Sequence, residues 1–108
     1  MVSVIRGAVH RIDLGDAKRG HEQRGRRLGI IVSPTDLLSS VVTVVPTSTS
    51  AQRSIFRPSA EIDDRETLLL VDQIRTIDLD YLGRFVGMLN RTDLATLDDT
   101  LGRFLGIS

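Results

Sequence analysis

The 108-residue chain has no cysteine, only three prolines, and four aromatic side chains, Phe56, Tyr81, Phe85 and Phe104. Without thiols there is no disulfide framework, no thiolate nucleophile and no sulfur ligand for zinc, and a cytoplasmic location is the expectation. Long apolar runs are missing too. Leu68-Leu69-Leu70-Val71 falls far short of the roughly 18 residues of a membrane span, so no membrane association is expected. The first residues lack a signal-peptide core, which makes the Asn90-Arg91-Thr92 sequon an expected coincidence. No Gly-x-x-x-x-Gly-Lys phosphate loop, dinucleotide glycine fingerprint or nucleophile elbow is visible. Histidine is scarce as well: His21-Glu22 would need a second histidine at position 25 to begin a zinc-protease signature, and that residue is Gly25. Neither a metal nor a cofactor is expected. A single domain over residues 1–108 fits the length.

What the chain does have is charge gathered in one place. Its formal net charge is zero, yet residues 1–57 hold nine Lys and Arg against four acids, a surplus of five that the remainder cancels. Five of those cations crowd the segment Lys18-Arg19-Gly20-His21-Glu22-Gln23-Arg24-Gly25-Arg26-Arg27. Two glycines free the backbone there, and guanidinium groups offer paired donors that match phosphate oxygens. One reading is an anion-binding loop, the other a solvated hairpin tip. For the asymmetry, likewise, the choice lies between a local polyanion-binding surface and two halves that neutralise each other across the fold.

In chain order, Gly7 to Leu14 reads as a strand and contains His10, expected as a packed or surface residue. Leu28 to Val32 reads as a buried strand, Ser33 to Asp36 as a turn, and Ser39 to Val45 as a central β-branched strand. Pro46, unable to donate a hydrogen bond, is expected to stop that strand. The hydroxyls of Thr47-Ser48-Thr49-Ser50 then either line a cleft or satisfy turn backbone groups. Ser54 to Ile62 reads as an edge strand interrupted by Pro58, Asp63 to Glu66 as a turn, and Thr67 to Ile77 as one segment that starts buried and turns polar. Asp78 caps a short helical turn through Tyr81, and Gly83 to Leu89 is the last strand. A terminal helix follows, with Thr92 as the expected N-cap, Asp93 in its first turn, and Leu94, Leu97, Leu101, Phe104 and Leu105 at helical spacing. Strands joined by short polar connections, then one helix, predict a mainly β fold: a small, partly open antiparallel barrel of the SH3-like kind.

Five blocks in register carry a family resemblance: Arg6-Gly7, Asp13-Leu14, Gly20-His21-Glu22-Gln23-x-Gly25-x-Arg27, Val44-Val45-Pro46-Thr47-Ser48, and Asp72-Gln73-Ile74-Arg75-Thr76-Ile77. Together they resemble the MazF/PemK family of toxin endoribonucleases over nearly the whole chain. Two positions depart from the family pattern: Ala8 stands where it has aspartate, and Leu28 where it has proline.

The resemblance implies metal-independent, sequence-specific cleavage of single-stranded RNA, in which a ribose 2′-hydroxyl attacks its own phosphodiester and leaves 2′,3′-cyclic phosphate and 5′-hydroxyl ends. It places Arg27 and Thr47 at the centre, as guanidinium and hydroxyl donors to the charge that develops on the phosphate, with Glu22 as proton acceptor and His21 as the alternative. Lys18, Arg19, Arg24, Arg26 and Arg53 would then follow the RNA backbone, with His21 and Ser48 as further contacts, while Gln23 and Gln73 read base edges. The aromatic residues are expected to be structural. A homodimer and a cognate antitoxin with a flexible acidic tail are the implied partners. Two other readings remain: a non-enzymatic gyrase poison resembling CcdB, and an inactive RNA- or peptide-binding module.

Overall fold

A computed structural model of the chain describes residues 4–15 and 26–108, with Arg26 described by its backbone alone. Among these residues seven strands precede one helix: β1 Ala8–Asp13, β2 Arg26–Ile31, β3 Val41–Ser48, β4 Ser59–Ile62, β5 Arg65–Leu69, β6 Arg75–Asp78, β7 Leu82–Met88 and α1 Arg91–Leu105. The strands form one antiparallel sheet in the order β4-β5-β3-β2-β1-β7, and β6 joins it through β3. The result is the expected mainly β fold, a curled, partly open barrel with a C-terminal helix. No described helix is long and apolar enough to cross a membrane.

Both faces of the central strands are buried. Ile30 and Val45 point into a cluster completed by Leu97 and Leu101 of α1, whereas Ile31 and Val44 point into a second cluster with Ala8, Ile12 and Ile77. A strand covered on both faces carries a continuous aliphatic run instead of strict alternation, and Ile30-Ile31 and Val44-Val45 show that pattern. Ala8 is fully buried in the second cluster, where a methyl group suits the apolar surroundings. Gly7 makes the entry to β1 possible. Its φ of +89° is a left-handed conformation that glycine adopts without strain, and a Cβ there would lie 3.0 Å from Leu94 of the helix.

The sequence reading needs four corrections. Pro46 does not stop β3, which runs on to Ser48. Val41 to Val44 pair with β6 on one side, but at Pro46 that neighbour has already ended, and β5 takes over at Thr47. Pro46 thus sits at the change of partner, opposite Gly29 of β2, and its carbonyl accepts the Leu70 N–H at 2.9 Å. Second, β4 begins only after Pro58, because Ser54 takes the preceding residues into a turn: its carbonyl accepts from Arg57 N and its hydroxyl from Phe56 N. Third, Thr67 to Ile77 is not one segment. A 3₁₀ turn, Val71–Gln73, separates β5 from β6 and lets each meet a different stretch of β3.

The fourth concerns the helix start. Asn90, not Thr92, is the N-cap: Asn90 is extended, and its side chain accepts the Asp93 N–H at 2.8 Å. The capping turn expected at Asp78 is present, with Asp78 accepting from Asp80 N. Between β4 and β5 the chain reverses through Asp63 and Asp64, both left-handed (φ 52° and 60°), the geometry of a type I′ hairpin turn. At the other end of α1, Gly106 closes the helix in the left-handed conformation.

Because the cap lies at Asn90, Asn90→Ala should cost about 1 kcal/mol of stability, while Thr92→Ala should stay within about 0.5 kcal/mol. Urea unfolding of the two variants tests this assignment, and the opposite ranking would return the cap to Thr92.

Candidate functional site

The change of partner at Pro46 builds a cleft. β2 supplies Arg27 and Leu28, β3 supplies Thr47 and Ser48, and the β4–β5 hairpin supplies Ile62, Asp63, Arg65 and Thr67, around a volume of about 230 Å³. Three of its lining residues carry hydroxyls and are buried, Thr47 4%, Ser48 5% and Thr67 6% exposed. A cationic rim over buried hydroxyls is the arrangement that receives an oxyanion.

The β2–β3 register decides how the first four residues meet. Gly29 is paired with Pro46, so continuing that antiparallel register sets Leu28 beside Thr47 and Arg27 beside Ser48. Residues paired across strands share a face, which puts the Arg27 and Ser48 side chains on one side of the sheet. Arg27 also lies opposite Ile12 of β1, so its backbone is paired on that flank. One arm of its guanidinium reaches the Thr47 carbonyl at 3.4 Å.

The two hydroxyls are in different states. Thr47 Oγ1 donates to the Leu28 carbonyl at 3.0 Å, so its proton is committed. Ser48 Oγ accepts from Ser50 N at 3.1 Å and from Ala51 N at 2.9 Å. With its lone pairs occupied by two N–H groups, Ser48 has its proton left to give, and among the described residues nothing accepts it. Both sequence readings of these hydroxyls therefore hold: they satisfy backbone groups and they line a cleft.

The sequence profile of the PemK-like, MazF-like toxins of type II toxin–antitoxin systems matches residues 5–105. The chain belongs to that family. It is 55% identical over 105 residues to Rv3098A of Mycobacterium tuberculosis H37Rv, a protein whose given name is that of a toxin; the match covers 96% of this chain and 99% of that protein. Among solved structures it superposes on MazF from Deinococcus radiodurans with a TM-score of 0.84 at 21% identity, covering 98% and 99% of the two chains. An endoribonuclease from a mycobacterial species, solved in complex with its cognate antitoxin, superposes with a TM-score of 0.81 at 23% identity, covering 97% of each chain. At these identities the structural likeness establishes a shared fold.

In this PemK-like toxin the structure brings Arg27, Thr47 and Ser48 together and leaves two other candidates outside the cleft. Arg53 is exposed and ion-paired with Glu66. Gln73 lies in the 3₁₀ turn beside Asp72, whose carboxylate holds Arg57 through a two-pronged pair at 2.9 Å. That bond keeps the Arg57 guanidinium still more firmly protonated than usual. Lys18, Arg19, His21, Glu22, Gln23, Arg24 and the Arg26 side chain lie outside the described residues. His10 is packed: Nδ1 meets the Gly83 carbonyl at 3.0 Å, the ring stands edge-on to Phe85, and Nε2 has no partner among the described residues.

The sequence reading missed Asp63, Arg65 and Thr67 as cleft residues. Asp63 to Glu66 reads as a turn, but only Asp63 and Asp64 form it while Arg65 and Glu66 open β5, and nothing local says that this hairpin folds back beside Arg27. The charge asymmetry is partly consumed across the fold, since Arg6 pairs with Asp98, Arg53 with Glu66 and Arg57 with Asp72.

Two outcomes follow. Thr47→Val keeps the shape but removes the bond to Leu28, and should lower stability by about 1 kcal/mol in chemical unfolding. Glu66 titrates below the usual carboxylate range because Arg53 hydrogen-bonds it and sets a positive charge beside it, with the Ser59 hydroxyl adding to the effect. A depressed native pKa means that the pair's small contribution is present above the unfolded carboxylate pKa and fades as pH falls through the native value. Arg53→Gln should therefore move the Glu66 carboxyl titration upward by NMR; an unmoved titration would refute that cause.

Proposed function

We propose that the protein is a toxin endoribonuclease that cuts single-stranded RNA, messenger RNA included, at a short sequence. The observation that supports this reading is that Arg27, Thr47 and Ser48 line one cleft in a chain of the PemK-like family. The 2′-oxygen of a ribose attacks the adjacent phosphorus, a 2′-O–P bond forms and the P–O5′ bond breaks. The products are a 2′,3′-cyclic phosphate and a 5′-hydroxyl. Since the nucleophile belongs to the substrate, the reaction needs no metal-bound water. Glu22, or His21 in its place, takes the 2′ proton, and the departing 5′ oxygen gains one.

Charge builds on the nonbridging oxygens as the 2′-oxygen closes in. Arg27 is suited to hold it, being always charged and matched to phosphate geometry. Of the two hydroxyls, Ser48 serves as donor without rearrangement, because no described residue accepts its proton. Thr47 serves only by releasing Leu28, and its role is to fasten β3 to β2 beneath the site. Lys18, Arg19, Arg24 and Arg26 guide the RNA backbone, with Gln23 reading bases. A homodimer supplies the extended RNA groove. A cognate antitoxin with an acidic flexible tail competes for the same cations. The exposed Tyr81, Phe85 and Met88, at and beyond the edge of the sheet, give a second copy apolar surface to cover.

The test is incubation of purified protein with a long single-stranded RNA in excess chelator, followed by mapping of fragment ends. Discrete cuts with cyclic phosphate ends are expected, and intact RNA refutes the proposal. Arg27→Ala and Ser48→Ala should each lower the cleavage rate by ~10²–10³, whereas Thr47→Val should retain most of it and Ser48→Thr should restore activity. Loss in Thr47→Val with retention in Ser48→Ala would exchange the two roles.

A further inference from the structure

Arg65 is the cation of this cleft that no sequence motif announces. It stands at the first position of β5, paired with Ile62 across the Asp63–Asp64 turn, so a two-residue reversal fixes its backbone. Successive strand residues face opposite ways, and the alternation separates Arg65 from its neighbour Glu66. Glu66 points to the Arg53 and Ser59 side and is neutralised there, while Arg65 lines the cleft that holds Arg27. The Arg65 guanidinium makes no hydrogen bond or ion pair with any described residue. Asp63 lines the same cleft and is likewise unpaired, the one carboxylate among the lining residues. A guanidinium kept clear of the acids beside it in sequence is available to an anion from outside.

We propose that Arg65 is a second phosphate-binding group, gripping the phosphodiester that flanks the one beside Arg27. This rests on the ribonuclease reading above and deepens it: the cleft takes a polynucleotide step with two backbone phosphates. Asp63 works against the same contact and loosens the grip on RNA. Arg65 acts on substrate binding, not on bond breaking.

The test uses full-length protein and a mixed-sequence single-stranded RNA oligonucleotide with every 2′-hydroxyl methylated, which binds without being cut. Affinity is read by fluorescence anisotropy over a range of salt concentrations. For Arg65→Gln the slope of log affinity against log salt should become shallower by about 0.7, the share of one phosphate contact on a single strand. Arg65→Lys should restore the slope. Asp63→Asn, a residue that tolerates the left-handed conformation of that turn, should bind RNA more tightly at every salt concentration. On cleavable RNA, Arg65→Gln should raise KM and leave kcat within about twofold of wild type. An unchanged slope in a folded Arg65→Gln protein, or weaker binding by Asp63→Asn, overturns the role of Arg65 and leaves the ribonuclease reading standing. Wild-type protein that neither binds nor cuts RNA overturns both.

Discussion

The site depends on β3 changing neighbours part-way along its length. A strand paired with one partner from end to end presents one continuous surface. Here β6 pairs with Val41 to Val44 and β5 with Thr47 and Ser48, the 3₁₀ turn Val71–Gln73 marking the break. Pro46 occupies that break, where a residue without an N–H fits and its carbonyl is still taken up by Leu70. Because β5 arrives only at Thr47, the β4–β5 hairpin is set against the end of β3 and not its middle. A gap remains between hairpin and β2, and the basic side chain of Arg27 is next to it.

The same register sorts two adjacent hydroxyls into different tasks. Thr47 faces Leu28 and spends its proton on a backbone carbonyl, while Ser48, one residue on, shares a face with Arg27 and has its lone pairs filled instead. Sequence order alone makes these residues nearly interchangeable. The pleat of the strand is what turns one hydroxyl to a backbone carbonyl and the other to two backbone N–H groups.

Strands of β-branched and aliphatic residues, the Asp78 cap and the amphipathic helix were legible because each depends on neighbours in sequence. Arg27, singled out by its motif, lines the cleft. Positions that depend on distant pairing were not: Pro46 looked like a terminator because local chemistry cannot show where a second neighbour ends, and Thr92 looked like a cap because Asn90 lies only two residues earlier with an equally suitable side chain. Arg65 falls in a segment that reads locally as a turn, and only the folding of that hairpin against β3 brings it to the cleft. The charge asymmetry had two readings, and the fold contains a share of each, with Arg6, Arg53 and Arg57 neutralised by acids from the other half and Arg27 and Arg65 set at a cleft.

Asp93 accepts hydrogen bonds from two places, the Asn90 side chain that caps the helix and the backbone N–H of Glu61 on the outermost strand. An outer strand with bare N–H groups is a template on which another chain can stack, and here the opening turn of the helix shields one of them. Fraying at that end of the helix uncovers the strand as well. The first turn of the helix and one N–H of the outer strand are thus tied to the same carboxylate.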